Sequence, residues 1–372
     1  MRENEDSKVS SGYEHSDIDS NPLKSLKTLR ETFKLVDKIE EVLFGYRKVS
    51  IVVIVNSLTL NLKKEQRIHD NSNLIVGPKG LGKTTLLYHI LARSNPKWII
   101  PLPDRIFETD ICNFPSEHFK RKVWVLDDLI TSFRGTSLKQ REQLMSFHNS
   151  FMSKGVYERR NSNTILRGRV VFQYGLAKEN YSKYSKDMLL STFSERLIMI
   201  TYDFTPEEED YILKKEDSKR KLPSVKLPFR KKEVEIEIPQ ELIEDTINAT
   251  KRLRTMSELS PIRAKHYIQN FLKSNAYINN RKEVCDDDLK LFKWIESLHY
   301  TTKPDTLETE IICLIQETND KDRIIGRKIK NRFKNRYSET RISTILSKLR
   351  EDGRIRYKKI SLGHGYDYEY WI

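Results

Sequence analysis

The sequence predicts an α/β fold: a parallel sheet between layers of helices, then a helical segment and a small module of helices and a hairpin. Three observations carry this. Short apolar runs at residues 73–76, 123–126, 169–174 and 196–201 alternate with helical patterns, as strands buried on both faces do. The first run leads directly into Gly77-Pro78-Lys79-Gly80-Leu81-Gly82-Lys83-Thr84, and a helical pattern over 84–92 follows. Beyond Pro304 come three helical patterns and two strand patterns separated by glycine-containing turns.

The 372 residues fit two or three domains. Residues 1–22 are rich in Ser, Asp, Glu and Asn and read as a disordered tail. Residues 23–213 read as the sheet-bearing core, opened by a helical pattern with Leu29, Phe33, Val36, Ile39, Val42 and Leu43 on one face. A helix over 207–213 closes the core, and residues 214–238 read as a basic linker or exposed loop. Helical periodicity returns over 239–300, and the last module spans 305–372.

Net charge is +14, from 67 Lys and Arg against 53 Asp and Glu, which favours a polyanionic partner, nucleic acid before membrane. Cys112, Cys285 and Cys313 lie far apart, excluding a disulfide framework and pointing to a reducing, cytoplasmic setting. The N-terminal residues lack the apolar core of a signal peptide, and the longest apolar stretch, 49–55, is too short to span a bilayer. A soluble chain with no membrane partner is expected.

The glycine-rich segment matches G-x-x-x-x-G-K-[ST] between a strand and a helix, the context a P-loop requires. Glycines let backbone N–H groups curl around phosphate oxygens at the positive end of a helix. Residues 77–85, with Thr85 the last, are therefore expected to bind ATP. Lys83 would reach the β- and γ-phosphates, and the Thr84 hydroxyl would hold Mg²⁺. Asp127, closing the strand at 123–126, is placed to complete the metal site, with Asp128 polarising the attacking water. Asp is one methylene shorter than the Glu many ATPases use there, so hydrolysis is expected to be slow.

These residues resemble the AAA+ ATPases, and the order of parts is most similar to the MCM-type, pre-sensor-hairpin clade. Phe44-Gly45-Tyr46-Arg47-Lys48 resembles the family's segment ahead of the P-loop, and Thr192-Phe193-Ser194-Glu195-Arg196-Leu197 resembles the stretch carrying an arginine finger. Thr205-Pro206-Glu207-Glu208-Glu209 is also similar, Leu259-Ser260-Pro261-Ile262-Arg263 resembles a sensor-2 turn, and residues 281–289 resemble the end of a lid. The resemblance covers residues 40 to 298. It implies a P-loop parallel sheet with an α-helical lid, and a ring of identical subunits in which Arg196 completes a neighbour's site. Arg263 would stabilise charge on the transferring phosphoryl group, and Gln173 is the amide nearest the sensor-1 position, which falls near Gly175. The helix-2 insertion of MCM proteins has no counterpart here. Leu126-Asp127-Asp128 also resembles the STAND signalling ATPases and the origin-recognition initiators, so an ATP-dependent transcription or defence regulator stands as the alternative to a replication helicase or initiator.

Arg159, Arg160, Arg167 and Arg169 flank Asn161-Ser162-Asn163, two basic arms around a polar tip. In the resembled clade such a hairpin touches DNA in a central channel; an ordinary solvated hairpin fits the residues equally. The C-terminal module has Leu307, Ile311, Ile312 and Ile315 on one helical face, then helices over 324–333 and 338–349 and strands over 355–360 and 366–372. This is the layout of a winged helix. Fourteen Lys and Arg against three acids between residues 323 and 359 favour DNA over a protein partner. Arg341, Ser343, Thr344 and Lys348 are its candidate recognition-helix contacts, with Lys358 and Lys359 on the wing.

Overall fold

Seven strands precede residue 202 among the described residues. β1 (Asn73–Gly77), β2 (Ile99–Pro101), β3 (Lys120–Leu126), β6 (Arg169–Ala177) and β7 (Ile198–Thr201) form one parallel sheet in the order β2-β3-β6-β1-β7, while β4 (Val156–Glu158) and β5 (Ile165–Arg167) pair as an antiparallel hairpin. This computed structural model describes residues 23, 25–63, 70–80, 82–129, 136–159, 164–178, 180, 196–202, 204, 221–257, 259–299, 307, 311, 314, 315, 324–334, 337–351, 355–362 and 365–371. The expected tail at 1–22, the helix at 207–213 and the family-like segments at 192–195 and 205–209 lie outside them, except for Leu23 beside the tail.

Side chains alternate across a strand, so each run feeds two cores. Ile75, Val123, Val125, Val171, Ile198 and Ile200 enter one; Leu74, Val76, Trp124, Leu126, Phe172 and Met199 enter the other. The first core is closed by α1 (Arg30–Glu40), α2 (Arg47–Ser57) and the helix after the glycine-rich loop, wound in π form over Thr85–Ala92. α3 (Glu108–Cys112) and α4 (Leu138–Lys154) cover the second. Ser137 and Gln140 cap the start of α4 reciprocally, and Gly155 ends it at φ +66°. The helical periodicity of residues 26–62 resolves into separate helices at Gly45, whose φ of +75° belongs to a left-handed turn.

α5 (Ile243–Met256), α6 (Pro261–Ile278) and α7 (Asp286–Ile295) join the first core rather than standing apart from it. Residues 221–238, expected as linker or exposed loop, instead run as a strap over that core. Val225, Leu227 and Ile236 are buried, and Asn95 fastens the backbone by accepting from Leu227 N at 2.8 Å and donating to Val225 O at 2.9 Å. Phe229 stacks on Trp98. The basic residues between these apolar anchors point outward, which is why composition alone reads as a loop.

A buried amide network crosses the first core. Asn73 accepts from Asn56 at 2.8 Å and donates to Gln173 at 2.7 Å, and Asn71 donates to Asn56 Oδ1 and Tyr267 O, both at 3.0 Å. Tyr267 Oη lies 3.2 Å from His299 Nε2, whose Nδ1 faces Met199 O. A proton on Nδ1 donating to that carbonyl leaves Nε2 to accept from the tyrosine. Such a network specifies one arrangement of α2, β1, β6 and α6, because each unpaired member would cost about 1–3 kcal/mol.

In the C-terminal module, β8 (Ile324–Ile325), β9 (Arg356–Leu362) and β10 (Gly365–Trp371) form an antiparallel sheet in the order β8-β10-β9. α8 (Gly326–Phe333) and α9 (Glu339–Glu351) pack on it through Ile329, Phe333, Ile342, Ile345, Leu346 and Leu349. The helix expected from Ile324 starts two residues later, since Ile324 and Ile325 pair with β10. Among the described residues, no helix is long and apolar enough to cross a membrane.

Burial lowers the pKa of His299 from 6.5 to about 4 and that of His148, enclosed by Phe147, Phe172 and Tyr174, to about 3. The unfolded chain therefore takes up these protons first as pH falls, and stability present above 6.5 drains away towards pH 4. A loss on the order of 3 kcal/mol from each histidine is expected across that window. Urea unfolding at stepped pH checks it, and His148→Phe should flatten the slope.

Candidate functional site

Parallel strands present their C-terminal ends along one edge of the sheet, and the glycine-rich loop leaves β1 there. Gly80 and Gly82 hold φ of +80° and +85°, the left-handed conformation glycine adopts without strain. Gly77 and Gly82 are also constrained by space. A Cβ on Gly77 would lie 2.2 Å from the Tyr202 ring, and one on Gly82 would lie 2.9 Å from Leu43 and 3.4 Å from Tyr46. The Tyr46 and Tyr202 hydroxyls meet at 2.5 Å, so an aromatic pair backs the loop. The sequence signal for this role was Tyr46, within the family-like segment ahead of the loop. Tyr202 carried none.

Lys83 is buried, its Nζ donating to Gly77 O at 3.0 Å and Pro78 O at 2.6 Å. Thr84 opens the helix and donates to Asp127 Oδ2 at 2.5 Å, so the two expected metal-site residues meet. Lys79 and Gly80 are exposed at the loop's crest, Thr85 begins the π-wound stretch, and Leu81 lies outside the described residues. Burial raises the pKa of Asp127, opposed by the Thr84 hydrogen bond and the Lys83 ammonium and assisted by Asp128 and Asp104.

One of the expected catalytic positions needs correction. Gln173 is fully buried, bonded to Asn73 and Ser57, and level with the start of β1 rather than its end. Four residues, about 13 Å at 3.3 Å each, separate that level from Gly77. The amide near the acid pair is Asn180, just past β6, whose Nδ2 donates to Asp128 Oδ2 at 3.4 Å. Asn180 lies three residues past the end of β6, outside the apolar pattern that marks the strand.

Arg196 and Arg263 come together, but on the opposite edge of the sheet. They line one small pocket with Asp70, Asn71 and Ser153, and Arg196 Nε donates to Ser153 Oγ at 2.7 Å. β7 pairs Ile198 with Asn73, so Arg196 stands level with residue 71, about 20 Å below Gly77 along the strands. Neither arginine reaches this chain's own loop.

In the hairpin, Arg159 pairs with the buried Glu108 at 3.2 Å, and Tyr157 donates to the same carboxylate at 3.0 Å. Arg169 is bound inward to Asp70 and Glu233. Arg167 is exposed, and Arg160 lies outside the described residues. Of the arginines expected to touch DNA, Arg159 is thus tied to a buried carboxylate at the hairpin base. In the C-terminal module, Arg341, Thr344 and Lys348 share the exposed face of α9, and Ser343 is half-buried beside it. Lys358 and Lys359 are both exposed on β9, but as strand neighbours they point to opposite faces.

The residues present fit a magnesium nucleotide. Glycines at positive φ form the cradle, a lysine lies against it, and a hydroxyl and a carboxylate already meet at the metal position. Among the described residues no three of His, Cys, Asp and Glu gather as a metal site. A nucleotide-bound Mg²⁺ needs fewer, since phosphates and water supply its remaining ligands.

Gly175 controls where Asp127 sits. A Cβ there would lie 2.0 Å from the Asp127 carbonyl oxygen, and Leu129 N donates to Gly175 O at 3.1 Å. Gly175→Ala should therefore cost about 1–3 kcal/mol by overpacking and weaken magnesium-dependent nucleotide binding. Urea unfolding and nucleotide titration with and without Mg²⁺ measure both.

No protein-family model matches the chain, and no curated protein matches it, so the geometry of the site carries its interpretation.

Proposed function

We propose that the chain is a slow ATPase of the AAA+ type that binds DNA and works in replication or a related mobile-element process. The observation that carries this is the loop edge of the sheet, where Lys83, the Thr84–Asp127 pair and the Asp128–Asn180 pair converge. The loop amides would bind phosphate oxygens and Lys83 would balance their charge. Thr84 and Asp127 would hold Mg²⁺, which supplies charge neutralisation on the phosphates. Asp128 would orient the attacking water. Its short side chain and its bond to Asn180 both restrain that carboxylate, which favours slow turnover and a switch-like role.

The separation of the two edges supports a homo-oligomer. Arg196, with Arg263 beside it, is remote from its own loop, which suits service to the γ-phosphate of a neighbouring copy in a ring. DNA contact is assigned to the C-terminal module, on its winged-helix-like order of elements and the shared face of Arg341, Thr344 and Lys348, with Lys358 and Lys359 on the hairpin.

Lys83→Ala should weaken ATP binding about 10- to 100-fold, by loss of a charge-assisted contact. Asp128→Asn should retain binding and lower turnover about 100-fold. Arg196→Ala should abolish the rise of specific activity with protein concentration. Equal ATP binding by Lys83→Ala would remove the nucleotide reading. Concentration-independent hydrolysis untouched by Arg196→Ala would remove the ring and favour the monomeric regulator.

A further inference from the structure

The β9–β10 hairpin has two unlike faces. Register pairs Tyr357 with Tyr370, Lys359 with Tyr368 and Ser361 with Tyr366, and residues directly opposite in an antiparallel pair share a face. One face therefore carries four tyrosines and Lys359. Asp367 and Glu369 alternate onto the other, where Glu369 stands opposite Lys358. Tyr370 is buried under the helices and Tyr368 is half-buried, but Tyr366 is 63% exposed and Tyr357 on edge strand β9 is 50% exposed.

The rings are interleaved with cations. Lys359 Nζ lies 3.7 Å from the Tyr366 ring centre, and the Arg350 guanidinium lies 4.6 Å from Tyr368 and 5.3 Å from Tyr357. Tyr357 and Tyr366 each pack edge-on against Tyr368, at 5.7 and 6.0 Å between ring centres. The outer rings are thus braced from below while one side of each meets solvent.

We infer that this face binds single-stranded nucleic acid, with unpaired bases stacked on Tyr357 and Tyr366 and the strand's phosphates drawn to Lys359 and Arg350. Phosphate attraction alone needs only cations, and the bases of a duplex are already stacked on one another. Exposed rings among cations add affinity only where base faces are open. A strand separated by the ATPase, or kept apart by it, presents such bases. The inference rests on the reading of the C-terminal module as a DNA binder and narrows its substrate.

The test uses the full chain with fluorescent oligothymidylate and with a duplex of the same length. Tyr357→Ala and Tyr366→Ala should each weaken oligothymidylate binding about 5- to 150-fold and leave duplex binding unchanged. The corresponding Tyr→Trp variants should retain it, because stacking survives. Lys359→Ala should weaken binding and flatten its dependence on salt. If both tyrosine variants bind oligothymidylate like the parent while Arg341→Ala lowers duplex binding, the stacking face is wrong and the duplex-binding module stands. If the parent binds neither probe at low salt, the DNA-binding reading itself fails.

Discussion

Held in register between β1 and β3, strand β6 decides which side chains meet at the loop edge. Its pairing with β3 carries the chain past Leu126 at the level of Tyr174, and the bare Cα of Gly175 lets the Asp127 backbone cross directly over it. Asp127 can then turn back to Thr84. On its other side, β6 ends beside Gly77, so the residues just beyond Ala177 emerge near the acid pair and Asn180 reaches Asp128. Any shift of one residue in this strand would send its side chains into the opposite cores, and both pairs would be lost.

That register is itself secured by polar contacts deep in the protein. Asn73 and Gln173 are partners both in the β1–β6 pairing and through their side chains. A slip would leave several amides buried without partners, each costing about 1–3 kcal/mol, while apolar neighbours would tolerate it far better. Asn56, Asn71 and Tyr267 extend the same restraint to α2 and α6. Helix α6 is tied to the sheet by this network as well as by apolar packing.

Much of this was legible in the residues. The four apolar runs, the glycine-rich motif and the acids after the second run locate the sheet and its loop edge, because buried parallel strands and glycine-rich strand-to-helix turns have strong local signatures. What stayed hidden depended on register or on partners distant in sequence. Gln173 stands out as polar in an apolar strand, but only the register distinguishes a core amide from one at the loop edge. β2 is a three-residue strand with no periodicity to detect, and the strap hides its apolar anchors among basic residues. Arg159 reads as a cation for DNA until Glu108, far away in the sequence, is found buried beneath it.

The two edges of the sheet also limit what one molecule can do alone. Bringing Arg196 to the loop of its own chain would mean moving it about 20 Å along the strands, past the pairing of β7 with β1. That pairing is made of main-chain hydrogen bonds backed by buried Ile198 and Ile200, so no rotamer change or loop motion substitutes for the distance. If these arginines act on a triphosphate, it belongs to another molecule, and association and turnover become one coupled event. On that proposal activity would depend on local protein concentration, and a nucleic-acid strand that gathered several copies would raise that concentration directly.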